Sequence, residues 1–143
     1  MLVKTILRHK PPGFVSVPSD MPVSGVINVL AEKGIGAVLV VENGELIGIL
    51  SERDIVRSLS ARAADTLTMT AGALMTRNPT TGSPETTVEQ AMEMMTEGHF
   101  RHLPVLENGR LTGLVSIGDV VKARIDQSEH EVETLRTYVT GKV

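Results

Sequence analysis

At 143 residues, with a net charge of −3 and no cysteine, the chain has room for one ordinary domain or for two small units that share a core. Its 41% hydrophobic and 22% charged content is that of a globular chain, which excludes a disordered chain, a strongly basic nucleic-acid binder, and all disulfide, thiolate-zinc and cysteine-nucleophile chemistry. Only Phe14, Phe100 and Tyr138 are aromatic, so single-stranded bases have no stacking platform.

Charges recur every few residues from Met1 to Lys10, which gives no apolar leader, and no later stretch approaches the roughly 18 consecutive apolar residues of a membrane span. A soluble cytoplasmic chain, associated with neither membrane nor nucleic acid, is expected. Val3 to Arg8 reads as a short helix or arm within an N-terminal segment, residues 1–13.

The rest is organised by an internal repeat. Glu42-Asn-Gly-Glu-Leu-Ile-Gly-Ile-Leu-Ser-Glu-Arg-Asp54 returns 65 residues later as Glu107-Asn-Gly-Arg-Leu-Thr-Gly-Leu-Val-Ser-Ile-Gly-Asp119. In that register Val23 meets Val88, Ile27 meets Met92 and Val40 meets Val105, without a gap. Each copy reads β-α-β-β-α.

In the first copy, residues 14–62, a helix starts after Ser19 or Asp20 as N-cap with Pro22 near its start, carries Val23, Val26, Ile27 and Leu30 on one face, and closes at Gly34. Strands Ala37–Val41 and Leu46–Leu50 flank an Asn43-Gly44 turn, and a second helix runs from Glu52 to Ala64. Residues 63–78 form a linker, small and polar from Ala63 to Thr70, with a helical turn at Ala71–Met75.

The second copy, residues 79–124, is opened by Thr80 and Thr81 as Val15 and Ser16 open the first. It carries the stripe Val88, Ala91, Met92 and Met95, a C′ glycine at Gly98, strands His102–Leu106 and Leu111–Val115 around Asn108-Gly109, and a helix from Ile117 to about Tyr138. In the extension at 125–143, Ile125, Val132 and Val139 stand seven apart with Leu135 between, a face for packing across a dimer or back onto the protomer.

A unit of roughly 60 residues with three strands is marginal alone, so the copies are expected to bury each other. The expected fold class is α/β (α+β): two βαββα repeats packed sheet to sheet with pseudo-twofold symmetry, plus terminal helices. Ligands on such a scaffold are expected in the clefts between the copies.

The signal that carries chemistry is Gly48-Ile-Leu-Ser51-Glu-Arg-Asp54 and its partner Gly113-Leu-Val-Ser116-Ile-Gly-Asp119. In each, a strand ends in Ser and a helix begins with Asp three positions on. Helix N-terminal N–H groups and a serine hydroxyl suit a phosphate, and an aspartate can accept hydrogen bonds from both hydroxyls of a ribose. The same residues also fit a capping pair, with Ser as N-cap and Asp at N3. No nucleophile elbow, Walker loop or dinucleotide glycine fingerprint follows any strand, and the four histidines join no carboxylate cluster. Neither catalysis nor a metal site is expected.

Gly-h-h-Ser-x-x-Asp after an Asn-Gly hairpin, in two βαββα copies, closely resembles the CBS (cystathionine β-synthase) domain family, over roughly Phe14 to Lys122. The resemblance implies a stand-alone pair of the signal-transduction type. It points Ser51 and Ser116 at phosphate and Asp54 and Asp119 at ribose, with adenine held by backbone and apolar side chains at Ala37, Val38, Leu103 and Pro104. His99-Phe-Arg-His-Leu-Pro-Val105 resembles a stretch of small CBS pairs in which Arg and His, here Arg101 and His102, lie near the nucleotide. An arginine's fork of donors suits phosphate oxygens. Pro104 cannot donate to a ladder, which marks an edge or the approach of something other than a strand, in the family adenine.

Arg53 is a further phosphate candidate, matched by Gly118 in the second copy, and Thr80 and Thr81 would border the base. Copy one has Gly36-Ala37 where copy two has Arg101-His102, so the sites should differ in affinity or preference. The implied ligand is AMP first, then ATP, ADP or NAD, with S-adenosylmethionine behind these. The implied assembly is a homodimer that signals to an unidentified effector protein. The competing reading is a dimerisation scaffold whose motifs are only helix caps.

Overall fold

Along the described residues, 1–140 with the side chain of Thr140 excepted, the computed structural model gives α1 (Val3–Arg8), β1 (Ser16–Val17), α2 (Val23–Lys33), β2 (Ala37–Glu42), β3 (Glu45–Ser51), α3 (Glu52–Arg62), a 3-10 turn (Ala63–Thr68), α4 (Ala71–Leu74), β4 (Thr76–Arg77), α5 (Val88–Gly98), β5 (His102–Glu107), β6 (Arg110–Ser116) and α6 (Ile117–Thr140). The last three positions of the expected C-terminal extension lie outside the described residues. The chain divides into two compact units: residues 13–80 with 108–112, and residues 1–12, 81–107 and 113 onward.

In the first of these units the strands run in the order β1-β2-β3-β4, with β1 parallel to β2 and the other pairs antiparallel. Asn43 and Gly44 both take positive φ, +52° and +79°, as the tight hairpin requires. The apolar face of α2 lays Val23, Val26 and Leu30 on Val38, Val40, Leu50 and Ile55, the core of this unit. Each fully buried Val or Leu contributes about 1.5–3 kcal/mol. Gly34 closes α2 in the left-handed region.

The start of α2 departs from expectation. Its N-cap is Pro22, not Ser19 or Asp20, and no side chain caps it, because the Met69 carbonyl accepts the Val23 N–H at 2.8 Å. Ser19 instead donates its hydroxyl and its N–H to the Glu42 carboxylate, and those bonds, the hydroxyl's first, hold that carboxyl below its ordinary value. The expected linker is also more ordered than its composition implied: Thr66 is fully buried in the 3-10 turn, its hydroxyl 2.7 Å from that of Ser58. Strand β4, two residues with no periodicity to read, was not anticipated.

The other unit repeats the scheme with three local differences. Helix α5 starts on a capping box between Thr87 and Gln90. It ends on His99, not Gly98, in the left-handed region at φ +55°. In the 65-residue register it is His99 that matches Gly34. Gly98 serves the Phe100 ring, whose Cδ1 a Cβ would meet at 2.6 Å. Around Asn108-Gly109, both at positive φ, β5 pairs with β6. Pro104 has no N–H to match the one Leu39 gives to the Val15 carbonyl, and pairing to the opening segment shrinks to the single parallel bridge Gly82↔Val105. Thr80 and Thr81 therefore lie outside any strand.

The helix ahead of each repeat belongs to the unit built on the other repeat. Met1 and Val3 exchange backbone hydrogen bonds with Val88 and Thr86, as Met69 and Ala71 do with Val23 and Met21. This explains the glycine of each motif. A Cβ on Gly48 would lie 2.8 Å from the Thr76 carbonyl oxygen and collide with Met75, and one on Gly113 would lie 2.8 Å from Leu7 Cδ2.

Candidate functional site

Both Ser-x-x-Asp junctions fold alike, and for a local reason. Ser51 ends β3 in extended conformation and so becomes the N-cap of α3. Asp54 N–H donates to Ser51 Oγ at 3.3 Å, while Ser51 N–H and its hydroxyl donate to Asp54 Oδ2, each at 3.0 Å. In the second copy Ser116 N–H donates to Asp119 Oδ2 at 2.9 Å and Asp119 N–H to Ser116 Oγ at 3.1 Å. The capping arrangement is thus realised in both. These bonds converge on one carboxylate oxygen, so a ligand hydroxyl could be accepted at Oδ1 without opening the cap.

Backbone pairing brings Ala37 to the first junction and Arg101 to the second. Ala37 stands opposite Ser51 in the β2–β3 ladder, and Glu52 N–H donates to the Gly36 carbonyl. In the second copy Ile117 N–H donates to the Arg101 carbonyl at 2.8 Å, so Arg101 flanks the start of α6 with its side chain exposed. His102 is half-buried at the start of β5, and Pro104 is buried. Arg53 is exposed on the first turn of α3, and at its match, Gly118, a Cβ would meet only Ser116 Oγ, at 3.7 Å. Val38 and Leu103 belong to the core clusters, so they can offer a ligand only backbone. Leu39 is fully buried on the face of β2 shared with Ala37. Thr80 is exposed and Thr81 half-buried.

One neighbour of the second junction escaped the sequence reading. Lys10 Nζ donates to Asp119 Oδ2 at 2.7 Å and to the Leu114 carbonyl at 2.9 Å. Burial pushes the Asp119 carboxyl up, but the bonds from Lys10 and Ser116 and the lysine charge outweigh it and hold the carboxyl below its ordinary value. Lys10, Asp119, Lys122 and Asp126 line a cavity of about 300 Å³ under α1. Nothing in the 65-residue register of the motif points to Lys10, because it lies ahead of both copies.

Among the described residues, no group of three His, Cys, Asp or Glu could hold a metal ion, and no helix is long and apolar enough to cross a membrane.

A duplicated βαββα unit, with a Ser–Asp junction after the second hairpin strand of each copy, defines the class of protein. The CBS domain family model matches residues 3–61 and 71–126, and the chain belongs to that family. The Arabidopsis thaliana CBS domain-containing protein CBSX3, mitochondrial, is 34% identical over 128 residues, which cover 86% of this chain and 62% of that one. The chain thus spans less than two thirds of that relative's length.

Among solved structures, the CBS-domain containing protein ATU1752 from Agrobacterium tumefaciens is 42% identical with a TM-score of 0.84, covering 87% of this chain and 99% of its own. PAE2072 from Pyrobaculum aerophilum, complexed with AMP, is 28% identical with a TM-score of 0.74, over 83% of this chain and 89% of its own. The CBS domain pair of protein MJ0100, in complex with 5-methylthioadenosine and S-adenosylmethionine, is 26% identical with a TM-score of 0.77, over 89% and 98%.

Proposed function

We propose that this chain is a regulatory module that binds an adenosine nucleotide, AMP before ATP, ADP, NAD or S-adenosylmethionine, and passes occupancy to a separate effector protein from a homodimer in a reducing, cytoplasm-like compartment. The observation that carries the reading is the junction itself, present twice with the same geometry. Structural neighbours complexed with AMP or with S-adenosylmethionine support it.

In this reading Ser51 and Ser116 add hydroxyls to helix N-termini that attract phosphate, and Asp54 and Asp119 accept the ribose hydroxyls. At the first junction Ala37 borders a base by side chain and Val38 by backbone, at the second Pro104 and Leu103 do the same, and Thr80 and Thr81 are assigned to the edge of a base. The two junctions are unequal: Arg53 faces phosphate at the first, whereas at the second its match Gly118 offers no such group, and Arg101 and His102 lie near the nucleotide there instead. A nucleotide can shift only an equilibrium whose states it binds unequally, so the effector reads a conformation that the ligand prefers.

A dimerisation scaffold is the second reading, favoured by the completeness of both capping boxes. Melting temperatures measured with each of the five ligands separate the two, since a ligand at a hundredfold excess over Kd stabilises by roughly 2.7 kcal/mol. A rise for one nucleotide that Asp54→Ala or Asp119→Ala abolishes supports the sensor. Unshifted melting with all five supports the scaffold.

A further inference from the structure

Helix α6 outruns the body it is rooted in. Val120 and Ala123 are buried in the core of their unit, but from Ser128 to Val139 every residue is exposed. An unsupported helix of this length is marginal in water, because helical stability in proteins comes mostly from packing an apolar face. Such a face is present: Val121, Ile125, Ser128, Val132, Leu135 and Val139 alternate in steps of four and three, which places them on one seam of a heptad pattern. Ile125 and Val132 are each 52% exposed, Leu135 63% and Val139 75%.

We propose that this seam pairs in parallel with α6 of a second copy of the chain. The proposal rests on the homodimer reading above and names its interface and orientation. Charges flanking the seam choose the occupant. With Ile125, Val132 and Val139 at a and Ser128 and Leu135 at d, the g positions hold Arg124 and Glu131 and the e positions Glu129 and Arg136. In a parallel pair each g faces the partner's next e, so Arg124 meets Glu129 and Glu131 meets Arg136, all attractive. In an antiparallel pair centred on His130, Glu129 meets Glu129 and Glu131 meets Glu131. Arg124 already reaches Glu89 at 3.6 Å within its own chain, which holds it near the flank of the seam.

The chain has no cysteine, so single introduced cysteines report directly. In a parallel pair Ser128→Cys faces itself and closes a disulfide under mild oxidation, while Glu133→Cys, on the outer face, does not. Sedimentation should show Leu135→Asp weakening association by about tenfold or more. Glu131→Arg should weaken it too, and Glu131→Arg with Arg136→Glu should restore it, a rescue that a folding defect would not give. A dimer that ignores these changes and leaves Ser128→Cys uncoupled overturns the interface but leaves the homodimer standing on another face. Coupling of Ser128→Cys only to Val132→Cys overturns the orientation. A wild-type monomer at all concentrations overturns both the seam and the homodimer.

Discussion

Lys10 Nζ stands 2.7 Å from Asp119 Oδ2, so a residue ahead of the first repeat ties down the motif aspartate of the second. In the linker ahead of the second repeat, Asn78 donates its backbone N–H to the Ile47 carbonyl at 3.4 Å. Asp54's described bonds all run within its own cap. Two junctions with the same cap thus differ in the charge brought to them, beyond the difference between Arg101-His102 and Gly36-Ala37.

Lys10→Met should cost about 1 kcal/mol at neutral pH, the value of a charge-assisted bond discounted for its partial exposure. The folded Asp119 carboxyl titrates below its unfolded value, so the folded state binds fewer protons there. That contribution is complete above about pH 4 and is lost as pH falls through the lower folded value. Denaturation of both proteins from pH 7 to pH 2 should therefore show the difference shrinking in the acid range. A constant gap would mean that Lys10 acts by packing alone.

Asp54→Asn separates cap from ligand site. The amide oxygen can still accept the Ser51 N–H, so stability should fall by only about 0.5 kcal/mol. Its NH2 cannot accept a ribose hydroxyl, and the nucleotide-induced rise in melting temperature assigned to that junction should disappear. If Asp54→Asn keeps the full rise, the aspartate is structural and the ribose sits elsewhere.

The repeat, both Asn-Gly hairpins and both Ser–Asp junctions were legible in the sequence because each is a contiguous pattern whose physics is local. What was not legible depended on partners distant in sequence. Ser19 looks like a cap until Glu42 is seen beside it, and the 3-10 turn looks like a polar linker until Ser58 is found facing Thr66. Lys10 carries no motif, and its approach to Asp119 follows only from α1 docking on the second repeat's unit. His99 could have been read, since strict use of the 65-residue register places it on Gly34.

Gly48→Ala and Gly113→Ala test why each motif carries its glycine. At Gly48 the new methyl meets the Thr76 carbonyl oxygen at 2.8 Å, backbone that can yield only by unpairing β4 from β3. At Gly113 it meets the end of the Leu7 side chain, which can rotate away. Overpacking should cost about 2–3 kcal/mol at Gly48 and about 1 kcal/mol at Gly113 by urea denaturation. Equal costs would mean that α1 is held as rigidly as β4.

Ser58 and Thr66 share one hydrogen bond in a site almost free of water, at 3% and 0% exposure. Ser58→Ala strands the Thr66 hydroxyl, and Thr66→Val strands that of Ser58, apart from its longer contacts with Met69 Sδ and Arg62. Each should cost about 1–3 kcal/mol, the penalty of an unsatisfied buried group. The double variant removes both polar groups and should cost less than the sum, with a coupling of about 1 kcal/mol in a double-mutant cycle. Additive losses would mean that water reaches the single variants. The 3-10 turn would then be held by its backbone, and the ordering of residues 63–68 would not depend on this pair.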